Sequence, residues 1–399
     1  MFEYFPGNYV WNLAVVGALN AGGQIDEVDR ACRPLLEAAK GGSDAGTDQF
    51  LRAWTDLTDS VAGQAEQAER DGHSLSAGGM YARASNYLST AERMLPAGHP
   101  DRLTTYQRVL DLTQKAFDLR DYNVSRVAIP FGETTLPAYF SAAPESQNGP
   151  APVIVLLNGL DSTKELMYSS GFWSELAARG ISCLMLDQPG TGEALRLQGL
   201  VAVRESETWG KWVVDWLETR KDVDPAKMGV VGWSLGGYYA PRVAAFEKRF
   251  SLCVAWGANH NWGAVQRRRL EREGENPVPH YWDHVKWVWG YDDLDEFIAF
   301  ADSIHLDGVV SEITVPFLIV HGENDRQIPV AYAHRSYDQA VNAPSRDLRI
   351  FTREEGGAEH IGLDHLPAMC TYIADWVSDT FAATDSPHTS AALSAEVAG

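Results

Sequence analysis

Cysteine is scarce in this chain: four residues in 399, at positions 32, 183, 253 and 370. No two of them form a CxxC pair or a metal-ligand spacing, so neither a disulfide framework nor a thiolate metal site is expected to organise the fold. Cys183 and Cys253 stand in apolar runs and read as buried free thiols of a reducing compartment. Basic residues are in deficit as well, 33 against 54 acids, which leaves a net charge of −21. A chain of this charge repels phosphate backbones and anionic lipid, which argues against nucleic-acid and membrane-surface binding. No Lys or Arg precedes Arg30, and the N-terminal apolar run is broken by Gly17 and Asn20. That pattern suits neither a signal peptide nor a membrane span, and a cytoplasmic location is the expectation. There is no internal repeat. With no phosphate-cradling glycine loop no cofactor is expected, and with no acidic or Cys partner at helical ligand spacing from the histidines no metal is expected.

What the chain does have is length and apolar content: 45% hydrophobic residues, enough for a large core. Residues 1–120 have a helical texture, with Ala, Leu, Glu, Gln and Arg in helix-like spacing over 24–40, 47–70, 74–95 and 99–119. Turn-like breaks fall at 41–46, 71–74 and 96–101. Near residue 122 the texture changes. A hairpin around Gly132 precedes alternating strands and helices, the signature of a mostly parallel sheet covered by helices. Strands are expected at 152–158, 181–187, 227–233, 252–257, 317–322 and 348–352. Helices are expected near 165–179, 204–219, 235–247, 330–341 and 362–380. The expected organisation is a helical segment over 1–120, an α/β domain over 121–381 with an insertion at 258–310, and a small, polar, disordered tail over 382–399.

The chemistry-bearing motifs all fall where these strands end. Gly232-Trp233-Ser234-Leu235-Gly236 has the form G-x-S-x-G, after an apolar strand and before a helix. A serine on so tight a turn needs very small neighbours, and Gly232 and Gly236 supply them. A serine hydroxyl requires a base, and the base requires an orienting acid, in the chain order Ser, acid, His. Asp325 follows the strand FLIVHG and is the expected acid, with Glu323 as the alternative. His360 closes the Gly-rich run Glu355-Gly356-Gly357-Ala358-Glu359 and is the expected base, with His365 as the alternative. The backbone N–H groups of Leu235 and Leu160 are the expected oxyanion donors.

Taken together, the runs NGLDSTKE, DQPGTGEA, GWSLGGYYAPR, HGENDRQIP and EEGGAEH resemble a group of α/β-hydrolases that includes bacterial 2,6-dihydroxypseudooxynicotine hydrolase and the fungal hydrolases that shorten heptaketide naphthopyrones. The likeness spans roughly 120–380, and the helical N-terminal segment is similar in kind. It implies an α/β-hydrolase fold with an N-terminal helical cap over the site. It also implies cleavage of a carbon–carbon bond next to a ketone, beside an aromatic ring, with Ser234, Asp325 and His360 in the catalytic roles.

The insertion is rich in aromatic residues, among them Trp262, Trp282, Trp287 and Trp289, and it also carries His260, His280 and His284. These aromatics read first as core packing and, as the alternative, as a lid over a flat substrate. Trp233, Asp161, Gln188, His260, Trp262 and Trp282 are the candidate substrate-binding residues, and the expected partner is a small aromatic molecule. A homodimer is a further expectation. Rival readings are a carboxylesterase or lactonase with the same triad, a prolyl-oligopeptidase-type peptidase, and a non-catalytic binding module. The helical rather than β-propeller texture of 1–120 speaks against the peptidase.

Overall fold

A computed structural model describes residues 2–120, 123–147, 149–272 and 276–384. Its centre is an eight-stranded sheet: β1 (Val124–Phe131), β2 (Thr134–Ser141), β3 (Ala151–Leu157), β4 (Ser182–Leu186), β5 (Val223–Trp233), β6 (Leu252–Trp256), β7 (Phe317–Gly322) and β8 (Arg346–Phe351). The spatial order is β1-β2-β4-β3-β5-β6-β7-β8. β2 runs antiparallel to both neighbours, and every other pairing from β4 to β8 is parallel. The inner strands are buried along nearly their whole length, as the unbroken runs of Val, Ile and Leu require when helices cover both faces.

Five helices precede the sheet: α1 (Tyr9–Asn20), α2 (Ile25–Cys32), α3 (Thr47–Arg70), α4 (Ser74–Arg93) and α5 (Arg102–Arg120). They share a core that includes Trp11, Phe50, Trp54, Tyr81 and Tyr87. Helix α1 was not among the expected elements. It is apolar around nearly its whole circumference, and nine of its residues are buried between the other cap helices and the sheet domain. The helix expected over 24–40 stops at Cys32, because Pro34 cannot continue the hydrogen-bond ladder, and short 3₁₀ turns follow.

Within the sheet domain lie α6 (Lys164–Ser169), α7 (Phe172–Ala177), α8 (Gly192–Arg196), α9 (Glu207–Glu218) and α10 (Gly236–Phe246). The single helix expected over 165–179 is split at Gly171, whose φ of 75° leaves the helical region. The stretch between β6 and β7 carries α11 (Trp262–Glu271), α12 (Tyr281–Trp289) and α13 (Leu294–Ala301), and α14 (Val330–Gln339) and α15 (Leu366–Thr384) complete the fold. Helix α15 covers the first residues of the expected tail, and the remainder of that segment lies outside the described residues. No helix among the described residues is long and apolar enough to cross a membrane.

Candidate active site

Ser234 sits at the carboxyl end of β5 with φ 57°, a left-handed conformation that costs a non-glycine residue energy. The surroundings hold it there. Its N–H donates to the Trp256 carbonyl at 2.9 Å, and its own carbonyl accepts the Gly237 N–H at 2.9 Å. A Cβ at Gly232 would stand 2.1 Å from the Gly236 carbonyl oxygen, so the turn admits no side chain there. A Cβ at Gly159 would come within 3.0 Å of the Ser234 Cβ, so the loop after β3 reaches the serine only as glycine.

The structure brings Ser234, His360 and Asp325 together. His360 Nε2 lies 2.8 Å from Ser234 Oγ, and His360 Nδ1 lies 2.8 Å from Asp325 Oδ2. The Asp325 carboxylate is fully buried and also accepts the N–H groups of Gln327 and Ile328 at 2.7 and 2.9 Å. Burial pushes its pKa up, but the His360 imidazole, with His321 and the backbone N–H bonds, outweighs burial and holds it below the usual value. An ionised carboxylate only accepts, so His360 Nδ1 carries the proton and Nε2 is free to accept from the serine hydroxyl. The loop bearing His360 is pinned by Asp364, whose carboxylate accepts three consecutive N–H groups, from Gly357, Ala358 and Glu359. Ile361, next in the chain, has φ 48°, an outlier for a β-branched residue and a second strained position at this site.

The alternatives stand elsewhere. Glu323 is exposed and accepts the Arg353 N–H, and His365 is exposed on the outer surface. His321 is buried behind Asp325. Its Nε2–H donates to the Ile328 carbonyl at 3.0 Å, and its Nδ1 accepts the Ala258 N–H at 3.2 Å. Burial lowers its pKa, so the ring is neutral and serves as scaffold.

Leu160 and Leu235 place their backbone N–H groups at the loop after β3 and at the start of α10, and neither finds an acceptor among the described residues. The loop that carries Leu160 is clamped from several sides. Gln188 accepts the Asn158 N–H and donates back to the Asn158 carbonyl, at 3.1 and 2.9 Å. Asp187 accepts from the Asn158 amide and from the Lys164 N–H, at 3.0 and 2.8 Å. Below it, the buried Lys164 ammonium meets Glu165, Asp187 and Glu193 within 3.0 Å. Burial, with Arg102 close by, drops His284 to a pKa of about 3, and the neutral ring donates to the Leu160 carbonyl at 3.4 Å.

Two spaces open on Ser234 and His360. The larger, about 780 Å³ with its open mouth included, is walled by Leu13, Ala14, Gly17 and Ala18 of α1, by Asn86, Thr90 and Arg93 of α4, and by Leu166, Trp233, Ile361 and Leu366. The smaller, about 310 Å³, is bordered by Leu160, Leu235, Asn259, Trp262, Arg269, Gln327 and Ile328. Asp161 borders both and pairs with Arg93 at 2.6 Å.

Trp233, Asp161 and Trp262 therefore reach the cavities, whereas three other candidates for substrate contact need correction. His260 is fully buried away from both spaces, held between Ser336 at 2.8 Å and Asp307 at 3.0 Å. One residue earlier, Asn259 takes the position expected for it. Gln188 is a backbone clamp. Trp282 packs half-buried against the hydrophobic core and borders neither space. His260, His280 and His284 turn to different neighbours, His280 to Thr47 at 3.0 Å, His284 to Leu160 and His260 to Asp307, rather than to one another. The sequence reading missed the α1 and α4 walls. The apolar run of 9–20 was a usable signal, because a helix that is hydrophobic all round must be covered on every side.

Comparison with known proteins agrees with this architecture. Residues 176–381 match the model of the prolyl oligopeptidase family, and residues 45–262 match that of the FrsA-like esterases. Hydrolase acrC of Aspergillus aculeatus is 31% identical over 291 residues, 68% of this chain and 66% of that one, so the chain spans just under two thirds of this relative's length. The 2,6-dihydropseudooxynicotine hydrolase of Paenarthrobacter nicotinovorans is 28% identical over 341 residues, 83% of this chain and 85% of that one. A crystal structure of 2,6-dihydroxy-pseudo-oxynicotine hydrolase has the same fold, with a TM-score of 0.74 at 24% identity, over 92% of this chain and 96% of its own. Strand order and both family matches lead to one assignment: the chain has the α/β-hydrolase fold and belongs to the prolyl oligopeptidase family, with a second match to the FrsA-like esterase model.

Proposed function

We propose that the protein is a serine hydrolase that cleaves a carbon–carbon bond next to a ketone in an aromatic substrate, through an acyl-enzyme. The observation that carries the serine chemistry is the continuous relay Ser234–His360–Asp325, both links 2.8 Å, beside two backbone N–H groups without acceptors. His360 Nε2 takes the hydroxyl proton as Ser234 Oγ attacks the substrate carbonyl, and Asp325 holds the imidazole and balances its charge. The Leu160 and Leu235 N–H groups receive the oxyanion. Collapse breaks the bond to the leaving carbon, which departs as an enolate and takes its proton from His360. Water, activated by the same imidazole, then hydrolyses the acyl-enzyme.

Support for an aromatic ketone substrate comes from the larger cavity, apolar along α1 and polar along α4, and from the resemblance carried by the five motif runs. An esterase or lactonase uses the same steps with an alkoxide leaving group, and the match to the FrsA-like esterase model favours it as the second reading. The peptidase reading is weaker, because the segment before the sheet is helical and closes over the serine. The test is to incubate wild type and Ser234→Ala with an aryl ester and an aryl 1,3-diketone and to identify the products by mass spectrometry. Serine-dependent conversion of the diketone to an acid and a ketone is the expected result. Ester cleavage alone selects the second reading.

A further inference from the structure

The smaller space beside Ser234 is built differently from the larger one. Asn259 is 3% exposed, yet its side chain makes no hydrogen bond among the described residues, and its Oδ1 is buried without a partner. A buried amide in this state has lost its water bonds: its NH2 can donate to a ligand oxygen, while its Oδ1 can only accept, from a ligand O–H or N–H. Arg269, on α11, is 7% exposed. Its guanidinium donates to the Tyr281 hydroxyl at 2.7 Å and to the Gln327 side chain, both neutral, and its Nε has no acceptor. Among the described residues no carboxylate lies within ion-pair distance of it. An anion arriving beside a buried guanidinium gains charge-assisted hydrogen bonds from it and offsets the cost of burying its charge. Asp161, the carboxylate on the border of this space, is already paired with Arg93.

We propose that this chamber is a subsite for the short, oxygen-bearing end of the substrate, where the Arg269 guanidinium and the Asn259 side-chain NH2 donate to an anionic oxygen on it. The aromatic body then fills the cavity under α1 and α4, and the attacked carbonyl lies between the two spaces at Ser234. The inference rests on Ser234 being the nucleophile. The ligand oxygen can belong to a carboxylate or to an enolised 1,3-dicarbonyl, since both present negative charge to a guanidinium.

The test compares phenyl acetate, the monophenyl ester of succinic acid and phenyl acetoacetate, with Ser234→Ala as the background rate. Wild type should favour the succinate or the acetoacetate over the acetate by ten-fold or more in kcat/KM. A succinate preference assigns the subsite to carboxylates, and an acetoacetate preference assigns it to enolates. In Asn259→Ala and Arg269→Met the ratio to acetate should fall toward one. Arg269→Lys, which keeps the charge, should recover part of it. Labelling of Ser234 by a fluorophosphonate reports whether each variant still has a formed site, and Asn259→Ala carries the test if Arg269→Met does not fold. Equal rates on all three esters in wild type, or an unchanged ratio in Asn259→Ala, would overturn the proposal while leaving the nucleophile in place. Failure of wild type to label would overturn the nucleophile assignment and this inference with it.

Discussion

At the scale of single residues, Asp325 has a narrow task in the proposed mechanism. It is buried, held ionised by His360 and two backbone N–H groups, and positioned to fix which imidazole nitrogen carries the proton. Asp325→Asn keeps the size but offers an amide that favours the wrong tautomer. We expect kcat to fall by on the order of 10³–10⁴-fold with KM little changed, measured by steady-state kinetics on an aryl ester. A loss below ten-fold would mean that the carboxylate does not orient the base. That Ser234, Asp325 and His360 meet was legible in the sequence, because each sits in a local context, strand then tight turn or loop, that a short motif encodes. Asn259 was not legible. Nothing in Gly257-Ala258-Asn259-His260 says which of the last two residues faces the serine, and His260 was the chemically more tempting choice. The partners Ser336 and Asp307, far along the chain, decide it.

At the scale of elements, α1 lays small residues against the cavity. Gly17 faces it, and a Cβ there would meet only the Leu363 side chain, at 3.9 Å. Space for a substrate ring depends on that absent side chain. Gly17→Phe should raise KM for an aryl 1,3-diketone by ten-fold or more while affecting a small ester far less, since the ring would occupy the cavity rather than the serine. An equal loss on both substrates would place the substrate elsewhere. The inner strands were readable from their unbroken apolar runs, and the hairpin from its turn at Gly132. The break at Pro34 and the split at Gly171 carried local signals too. The packing partner of α1 did not, because an all-round apolar helix declares that it is covered without declaring by what.

At the scale of the molecule, cap and sheet domain are joined through buried charge. Glu92 of α4 accepts from Arg102 of α5 at 2.8 Å and, in two hydrogen bonds of 2.8 Å, from Arg196 of α8. Both guanidinium groups lie near the Trp287 ring, at 4.6 and 5.7 Å from its centroid. Burial pushes Glu92 up, but the two arginines outweigh it and bring its pKa to about 2, from an ordinary 4.5. A folded-state pKa below the unfolded one means stability that is complete above pH 4.5 and lost as pH falls toward 2. For this group the loss is about 3 kcal/mol. Urea unfolding of wild type should show that dependence, and Glu92→Gln should flatten it. The same variant should be less stable at neutral pH by roughly 3–5 kcal/mol, because it leaves two buried arginines short of charge. A pH profile unchanged in Glu92→Gln would show that this cluster does not hold the cap.

The sequence alone determined the fold class, the order of the strands along the chain and the motifs at their carboxyl ends, because parallel strands and tight turns are specified by neighbours a few residues apart. Which side chains share a cavity was decided only by the tertiary structure. The larger space is assembled from α1, α4, the loop after β3 and the loop of His360, segments that meet only when cap and sheet close on each other. The ion cluster around Glu92 is assembled in the same way, from residues 92, 102 and 196. Contacts between such distant segments depend on packing and on the exclusion of water, and no local pattern of residues records them.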